Sequence, residues 1–383
     1  MAAFNEKMQN FRKKAEVFGL KFYMWPYWFY YQNKRFRESY WPAFLKNNDK
    51  KNFFTILKEI WILTLYWKCL PHHYFRYSLY RKNFDFKTIL NYIPESVVYY
   101  KILPKINSYH ILLDDKNLFE NILKSNNLPT PNTLLKIRKG LILNKNNHPI
   151  SSEKEIEKIL NKTEVSKIFL KPADCGSGGE EIILFRKKRK KYFSNDCKKL
   201  SLKMLKEKVN TDWIIQEGIE NTRSLKKIHP SSLNTFRVMT FFYPQKGAKV
   251  IYAILKVGNN NAYTDNAHTG GIYIGVNLAT GKLMNKGFNE DLKEYTSHPL
   301  TNYDFRNKKI KHFEKIIKIA ERAGNLFPYL TFIGWDIALT NDGPIILEGN
   351  SSPGLTIIQR TCGGIKKFYN LANDIIKNNY LQK

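Results

Sequence analysis

Cysteine is scarce and scattered. The four residues, Cys69, Cys175, Cys197 and Cys362, form no CxxC pair and no metal-ligand spacing. That argues against a disulfide framework or a zinc knuckle and suits a reduced, cytosolic chain. Long apolar runs are missing too. The longest, Ile60–Trp67, is bordered by Lys58, Glu59 and Lys68 and falls far short of the roughly 20 residues that span a bilayer. The polar opening Met1–Gln9 predicts no secretory signal peptide. Acidic residues are thin: 33 Asp and Glu stand against 63 Lys and Arg, for a net charge of +30. A bias toward Lys, Asn and Ile, of the kind AT-rich coding produces, explains Lys in place of Arg but not the excess of base over acid. A field of that sign draws polyanions, whether nucleic acid, anionic lipid or acidic polysaccharide, and charge alone does not choose among them.

What is present is enough apolar material, 43% of the residues, for a real core in two or three lobes. The aromatics are uneven: residues 1–108 hold 29 of the 55 Phe, Trp and Tyr, with 19 basic and 7 acidic residues. The densest stretch is KFYMWPYWFYYQNKRFRESYW, 21–41. The apolar spacing of NFFTILKEIWILTLYWKCL (52–70) predicts a helix closed by Pro71. This region reads as a helical lobe. Its aromatics suit a packed core, an interfacial surface facing anionic lipid, or base stacking.

From residue 110 the signals alternate. HILLDD predicts a short strand, followed by a helix from Asp114 or Asp115 that ends before NNLPTP. TLLKIRKGLILN (133–144) predicts a strand pair. Ser152 and Glu155 predict the capping box of the next helix. Strands are expected at SKIFLKP (166–172), GEEIILF (179–185) and WIIQEGI (213–219), with the basic run RKKRKK (186–191) between a strand and a helix. TFRVMTFFY, AKVIYAILKVG and GGIYIGVNL predict further strands, and helices are expected at 306–324 and 364–378. The class is α+β with mostly antiparallel sheets. The expected division is 1–108, 109–222 and 223–383.

One hairpin stands out. In FIGWDIALTNDGPIILEGN, a three-residue loop Asn341–Gly343 sets Asp336 directly opposite Glu348. Strand alternation adds Asn350 to the same face. Ile333, Trp335, Ile337 and Leu339 then share the core face with Ile345 and Leu347. Two carboxylates side by side destabilise a ladder. A hard, oxygen-preferring ion resolves the conflict, and two carboxylates with one amide suit Mg²⁺ completed by phosphates and water. FLKPADCGSGGEEIILF (169–185) adds a second signal. Lys171 ends a strand, and Gly176, Ser177, Gly178 and Gly179 follow in a loop whose backbone N–H groups can approach a phosphate. This loop fits neither phosphate-loop fingerprint, because it runs from strand to strand.

Together these pieces resemble the ATP-grasp superfamily, in which two α+β lobes hold ATP between them. DDK (114–116) with its helix and LPTP resembles the upstream lysine motif, FLKP…GSGG the mobile phosphate loop, WIIQEGI the adenine hinge, and WD…LEGNSSPG the metal-ligand pair with its terminal Asn. IHPSSLNTFRVMTF (228–241), AYTDNAHTGGIYIGVNLATGKL (262–283) and FIGWDIALTNDGPIILEGNSSPG (332–354) look like the sugar-transfer-associated branch, related to alpha-L-glutamate ligase-like proteins and associated with cell-surface polysaccharide. The resemblance covers roughly residues 110–360. It implies that Lys116 and Lys171 neutralise ATP phosphates under the cap Gly176–Gly179. Gln216, Glu217, Gly218 and Ile219 would line the adenine, with Glu220 or Asn221 toward the ribose. Asp336, Glu348 and Asn350 would hold Mg²⁺. Arg237 and Lys256 would stabilise charge on the transferring phosphoryl group. Asp265, Asn266, His268, Gly270, Gly271 and Arg360 would meet substrate, although His268 reads equally well as a loop hydrogen-bonding residue.

The implied reaction is carboxylate–amine ligation through an acyl phosphate, on an anionic glycan or lipid-linked substrate in surface-polysaccharide synthesis. The expected place is the cytoplasm, with peripheral contact to the inner membrane face through the N-terminal region. An ATP-grasp kinase of a hydroxyl is the closest rival. A polyanion-binding protein without catalysis is the rival of another class. It leaves the carboxylate hairpin unexplained, so nucleic acid is not the expected partner. Residues 1–108 depart from the superfamily, since they lack the Rossmann-like alternation with which many of its members begin.

Overall fold

The computed structural model describes residues 34, 36–173, 182–208, 210–260, 265, 270–291 and 293–381. The chain divides into two compact units, one of Met1–Val97 with Gly364–Lys367 and one of Val98–Gly363 with Phe368–Lys383.

The described part of the first unit is helical. Its main helix α1 (Phe53–Trp67) starts where the Asn52 side chain accepts the Thr55 N–H, and it ends at Lys68 in the left-handed region (φ 54°), ahead of Pro71. Ile56, Glu59, Leu63 and Trp67 form its buried face at three- and four-residue spacing. Tyr40, Tyr74, Tyr77 and Tyr80 are buried. The Arg76 guanidinium donates to the Tyr40 hydroxyl at 2.7 Å and to Glu95 at 2.5 Å, which keeps a buried cation paired. Within the aromatic stretch 21–41, residues 21–33 and 35 lie outside the described residues.

The second unit contains two antiparallel sheets. The first has six strands in the order β2-β1-β6-β3-β4-β5: β1 (Thr133–Arg138), β2 (Leu141–Asn144), β3 (Lys167–Pro172), β4 (Ile183–Lys188), β5 (Lys191–Ser194) and β6 (Trp213–Glu217). Helix α2 (Lys116–Ser125) precedes it, N-capped by Asp115. Helix α3 (Glu153–Asn161) carries the expected Ser152–Glu155 capping box, and its Ile156 and Leu160 join Leu135, Ile168, Leu170, Phe185 and Ile215 in one core. The second sheet has seven strands in the order β11-β10-β9-β8-β7-β12-β13: β7 (Thr235–Tyr243), β8 (Gly247–Val257), β9 (Ile272–Val276), β10 (Leu283–Phe288), β11 (Glu294–Tyr295), β12 (Phe332–Thr340) and β13 (Gly343–Asn350). Helix α4 (Phe313–Asn325) packs on β7 and β8. Helices α5 (Thr356–Cys362) and α6 (Lys366–Leu381) follow the hairpin.

Three local expectations are corrected. HILLDD is no strand: Ile111–Asp114 is a helical turn whose Leu113 packs into the second sheet's core. The run RKKRKK lies in a β-hairpin, not between strand and helix, because Lys188 pairs with Lys191 and Arg189 takes the left-handed conformation (φ 56°) that reverses the chain. The helix expected from 306 starts at Phe313, after Lys309 has bridged to Lys282.

Burial also sets a titration in the first unit. His73 is buried, neither ring nitrogen has a hydrogen-bond partner among the described residues, and burial pushes its pKa down to about 3, with His72 and Arg76 pushing the same way. Above its ordinary value of 6.5 His73 is neutral in the folded and unfolded chain alike, so its packing is fully retained. As pH falls from there toward 3, the unfolded chain takes the proton and the folded chain does not. The expected loss is about 1.4 kcal/mol per pH unit, or about 2 kcal/mol between neutral pH and pH 5. Urea unfolding of the wild type and of His73→Leu at both pH values checks this. The variant should lose less stability on acidification by that amount.

Candidate functional site

The carboxylate hairpin forms, and Asp336 stands opposite Glu348, but the route differs from the expected one. The ladder closes at Thr340↔Gly343, with Gly343 at φ +122°, so only Asn341 and Asp342 lie outside it. From there to Ile337↔Ile346 the register is one residue off the expectation. A bulge at Leu347 then restores Asp336↔Glu348 and Gly334↔Asn350. Consequently Ile346, rather than Ile345 and Leu347, joins Ile333, Trp335, Ile337 and Leu339 in the core. Gly349, between the two polar positions, sits in a tight place: a Cβ there would stand 3.1 Å from Trp335, 3.2 Å from Leu113 and 3.3 Å from Phe119, so these side chains would have to give by a few tenths of an ångström.

On the opposite face of the sheet the charges meet. Asp336 pairs across β12 and β7 with Arg237, whose Nε and Nη2 both donate to its carboxylate, the second at 2.9 Å. Lys256 on β8 donates at 3.1 Å to Asp336 Oδ2, the oxygen that Arg237 Nη2 also meets, and lies 3.5 Å from Asp265. Asp265 is buried and accepts from the N–H of Thr235 at 2.9 Å and from its hydroxyl. Burial alone would push the Asp336 carboxyl up, but Arg237 and Lys256 overcome it and hold the group well below the usual carboxylate range. Burial likewise opposes the charge on Lys256, and Asp265 and Asp336 hold its pKa up. For Asp265 burial wins, and its pKa is raised despite Lys256. Asn350 donates to Glu348 at 3.3 Å, which keeps the amide and the carboxylate together. The donor set of Glu348, Asn350 and Asp336 fits a hard divalent cation. Such an ion competes with Arg237 and Lys256 for Asp336. Among the described residues no cluster of three His, Cys, Asp or Glu makes a separate metal centre.

The first sheet brings a second group to this face. Lys171, on β3, is half-buried; burial pushes its pKa down to about 8 against the pull of Glu348, and Lys116 pushes the same way. Both lysines and the hairpin carboxylate therefore share one electrostatic neighbourhood. Lys116 starts α2, and its N–H donates to Ala173 just past β3 at 2.9 Å. Gln216 on β6 is buried. Its amide donates to Thr133 at 3.1 Å and Glu120 at 3.4 Å, while its Oε1 has no partner among the described residues. An unpaired buried acceptor is costly and suits an N–H of a bound heterocycle such as adenine. Strand alternation sends Glu217 the other way, where it accepts both N–H groups of Asn132 at 2.9 and 2.8 Å. The Gly218 N–H donates to Lys167 at 2.8 Å, and Ile219 is buried. Gly176, Ser177, Gly178 and Gly179, together with Asn266 and His268, lie outside the described residues. Gly270 takes φ +79° and accepts from Asn259 at 3.2 Å; Gly271 is buried just ahead of β9. Arg360 on α5 stacks over Phe288 at 5.0 Å.

Sequence reasoning missed two supports. Glu120 on α2 links Thr133 and Gln216, and Lys124 donates to it at 2.6 Å. The other is the polar run ahead of β7. Asn234, fully buried, donates to the Leu225 and His229 carbonyls at 3.0 and 2.9 Å and accepts from Ser232 at 2.8 Å and from the Gly258 N–H at 3.4 Å. His229 bonds Ser232 at 2.7 Å and the Asn260 carbonyl at 2.9 Å, and its ring lies 5.2 Å from that of buried His298. A Cβ on Gly258 would fall 2.5 Å from the Ser232 hydroxyl and 2.7 Å from His229. This network fixes Thr235, and Thr235 holds Asp265. The sequence marked this run only as part of the motif IHPSSLNTFRVMTF, with no role for His229, Ser232 or Asn234. Asn234→Ala should destabilise the second unit by about 3 kcal/mol, because it leaves several buried polar groups unpaired; the urea midpoint measures it.

The comparisons with known proteins bear on this arrangement. The family model described as sugar-transfer associated ATP-grasp matches residues 98–367. Among solved structures, the D-alanine-D-alanine ligase from Coxiella burnetii is similar at 11% identity and TM-score 0.40, over 71% of this chain and 60% of that one. The ADP complex of purK, N5-carboxyaminoimidazole ribonucleotide synthetase, is similar at 10% identity and TM-score 0.38, over 66% and 53%. The L-amino acid ligase from Bacillus licheniformis is similar at 13% identity and TM-score 0.34, over 65% and 44%. The chain thus spans less than two thirds of the length of these relatives. No curated protein matches in sequence. With the match running through both sheets and the carboxylate hairpin, the chain belongs to the sugar-transfer associated ATP-grasp family.

Proposed function

We propose that the protein is an ATP- and Mg²⁺-dependent carboxylate–amine ligase acting on a sugar acid or glycan in cell-surface polysaccharide synthesis. The observation that carries this reading is that Lys171 lies within electrostatic reach of both Lys116 and Glu348, while Asn350 bonds Glu348 and Asp336 stands opposite it. The family's association with sugar transfer supports the substrate class. The substrate carboxylate attacks the γ-phosphorus, the bond to the β-bridging oxygen breaks, and ADP leaves. An amine then attacks the acyl phosphate, inorganic phosphate leaves, and the nitrogen loses a proton to give the amide.

No side chain is needed as nucleophile. Lys116 and Lys171 bind phosphate oxygens, and the ammonium of Lys171 gains from phosphate what it lacks in water. Gln216 offers its unpaired Oε1 to the adenine amino group. Arg237 and Lys256, locked in place by Asp336 and Asp265, supply positive charge that is already oriented when phosphoryl transfer begins. Glu348, Asn350 and Asp336 would hold Mg²⁺, which neutralises phosphate charge. Asp265 and Arg360 face the substrate side in this reading.

Glu348→Gln is the variant of choice, since changing Asp336 would strip Arg237 of its paired carboxylate and leave Lys256 with Asp265 alone. Calorimetry with a non-hydrolysable ATP analogue should show Mg²⁺-dependent binding to the wild type, weakened by about a hundredfold in Glu348→Gln and similarly in Lys171→Met. With a uronic acid and an amine together, ADP and inorganic phosphate should appear in equal amounts. ADP without free phosphate, from a hydroxyl substrate alone, would mark a kinase. Failure of the folded wild type to bind the analogue would remove the ATP-dependent reading altogether.

A further inference from the structure

The outer face of α1 is more apolar than a solvent-facing helix should be. Phe54, Leu57, Trp61 and Leu65 follow one another at three- and four-residue steps, hence along one side of the helix. They are 80, 47, 66 and 61% exposed, and Phe53 beside them is 66% exposed. Lys58 falls within the stripe and Lys68 at its end, both exposed. Glu59 is the helix's one acidic residue. It is turned inward and held by Lys51 at 2.7 Å and the Tyr74 hydroxyl at 2.5 Å. A further cation, Lys366, stands 5.5 Å from the ring of Tyr66, itself 49% exposed. The face thus offers large apolar side chains and positive charge, with no exposed carboxylate on the helix.

We infer that α1 is an interfacial helix that docks this protein on an anionic lipid bilayer. The chemistry selects that occupant. Phe54, Leu57, Trp61 and Leu65 enter the boundary between headgroups and acyl chains, Trp61 at the depth favoured by indole, while Lys58 and Lys68 extend to lipid phosphates. With 15 residues the helix is about 22 Å long; it lies in the plane of the surface, and no helix among the described residues is long and apolar enough to cross. A second copy of the chain fits less well, because an isologous contact would set Lys58 and Lys68 near their own images with no carboxylate to meet them. This inference does not depend on the ligase reading, and its test uses no nucleotide.

The test is cosedimentation of the full chain with phosphatidylcholine vesicles, with and without phosphatidylglycerol, at low and high salt. Binding should require the anionic lipid and weaken with salt. Phe54→Ser alone, at the most exposed position, should reduce it several-fold, and Phe54→Ser/Trp61→Ser/Leu65→Ser by at least about tenfold, with the far-UV circular dichroism unchanged. Lys58→Glu should reduce binding to anionic vesicles. Absence of wild-type binding, equal binding to neutral vesicles, or binding that survives the triple substitution would each overturn the assignment. So would conversion of a wild-type dimer to a monomer by the same substitutions without any vesicle binding.

Discussion

Charge placed inside a sheet must be balanced locally, because an ion removed from water without a partner costs several kcal/mol. On the site face of the seven-stranded sheet Arg237 and Lys256 stand against Asp265 and Asp336, all within two or three strands of one another. These four neutralise each other. Glu348, half-buried opposite Asp336, is then left over, making three carboxylates to two cations. The surrounding structure serves this balance. The register of β7, β8 and β12 sets donor against acceptor, and the Asn234 network fixes Thr235, which holds Asp265. Altering the register of any of these strands by one residue would turn every charge on it toward the core.

The leftover carboxylate depends on a bulge. A two-residue connection between β12 and β13 would leave Asp336 opposite Leu347 and send Glu348 to the core face. The extra residue at Leu347 reverses that, and Gly349 then packs closely against Trp335, Leu113 and Phe119, where a Cβ would crowd them. The pairing was legible in the sequence because a three-residue loop and a two-residue loop plus one bulged residue displace the far end of the ladder equally. The core assignment near the turn was not, since Ile345, Ile346 and Leu347 are all apolar and nothing in the pattern says which of them is pushed out.

Elsewhere legibility followed how local the cause was. Strands β1 to β4 and β6 to β9, the Ser152 capping box and the helix start at Asp115 rest on neighbouring residues, and periodicity or capping chemistry located them; the short β5 and β10 carry no such pattern and were not foreseen. Glu120 rests on a helix meeting two strands. In sequence it is one more polar residue on α2, whose Phe119 and Leu123 pack into the second sheet's core while Glu120 reaches the first. Asn234 is similar: its partners at Leu225, His229 and Gly258 are assembled only once the chain returns along β8. The aromatic wealth of the N-terminal region was the most ambiguous signal, because composition cannot separate faces. Tyr40, Tyr74, Tyr77 and Tyr80 are core, and Phe54 and Trp61 are surface, so the packed-core reading describes only part of the segment.

The two sheets of the second unit differ in the sign of what they bring to the site. The first contributes ammonium groups, one of which burial has already pushed down to about 8. The second contributes the surplus carboxylate with an amide at its side. Neither sign is satisfied by the other alone, since Lys171 is shared between the attraction of Glu348 and the repulsion of Lys116. A ligand that is anionic toward the lysines and carries a divalent cation toward the carboxylates would relieve both at once. A bare anion would face Glu348, and a bare cation would face Lys171. Metal and nucleotide are therefore expected to bind each more tightly in the presence of the other, which is the electrostatic form of requiring a complex as the substrate.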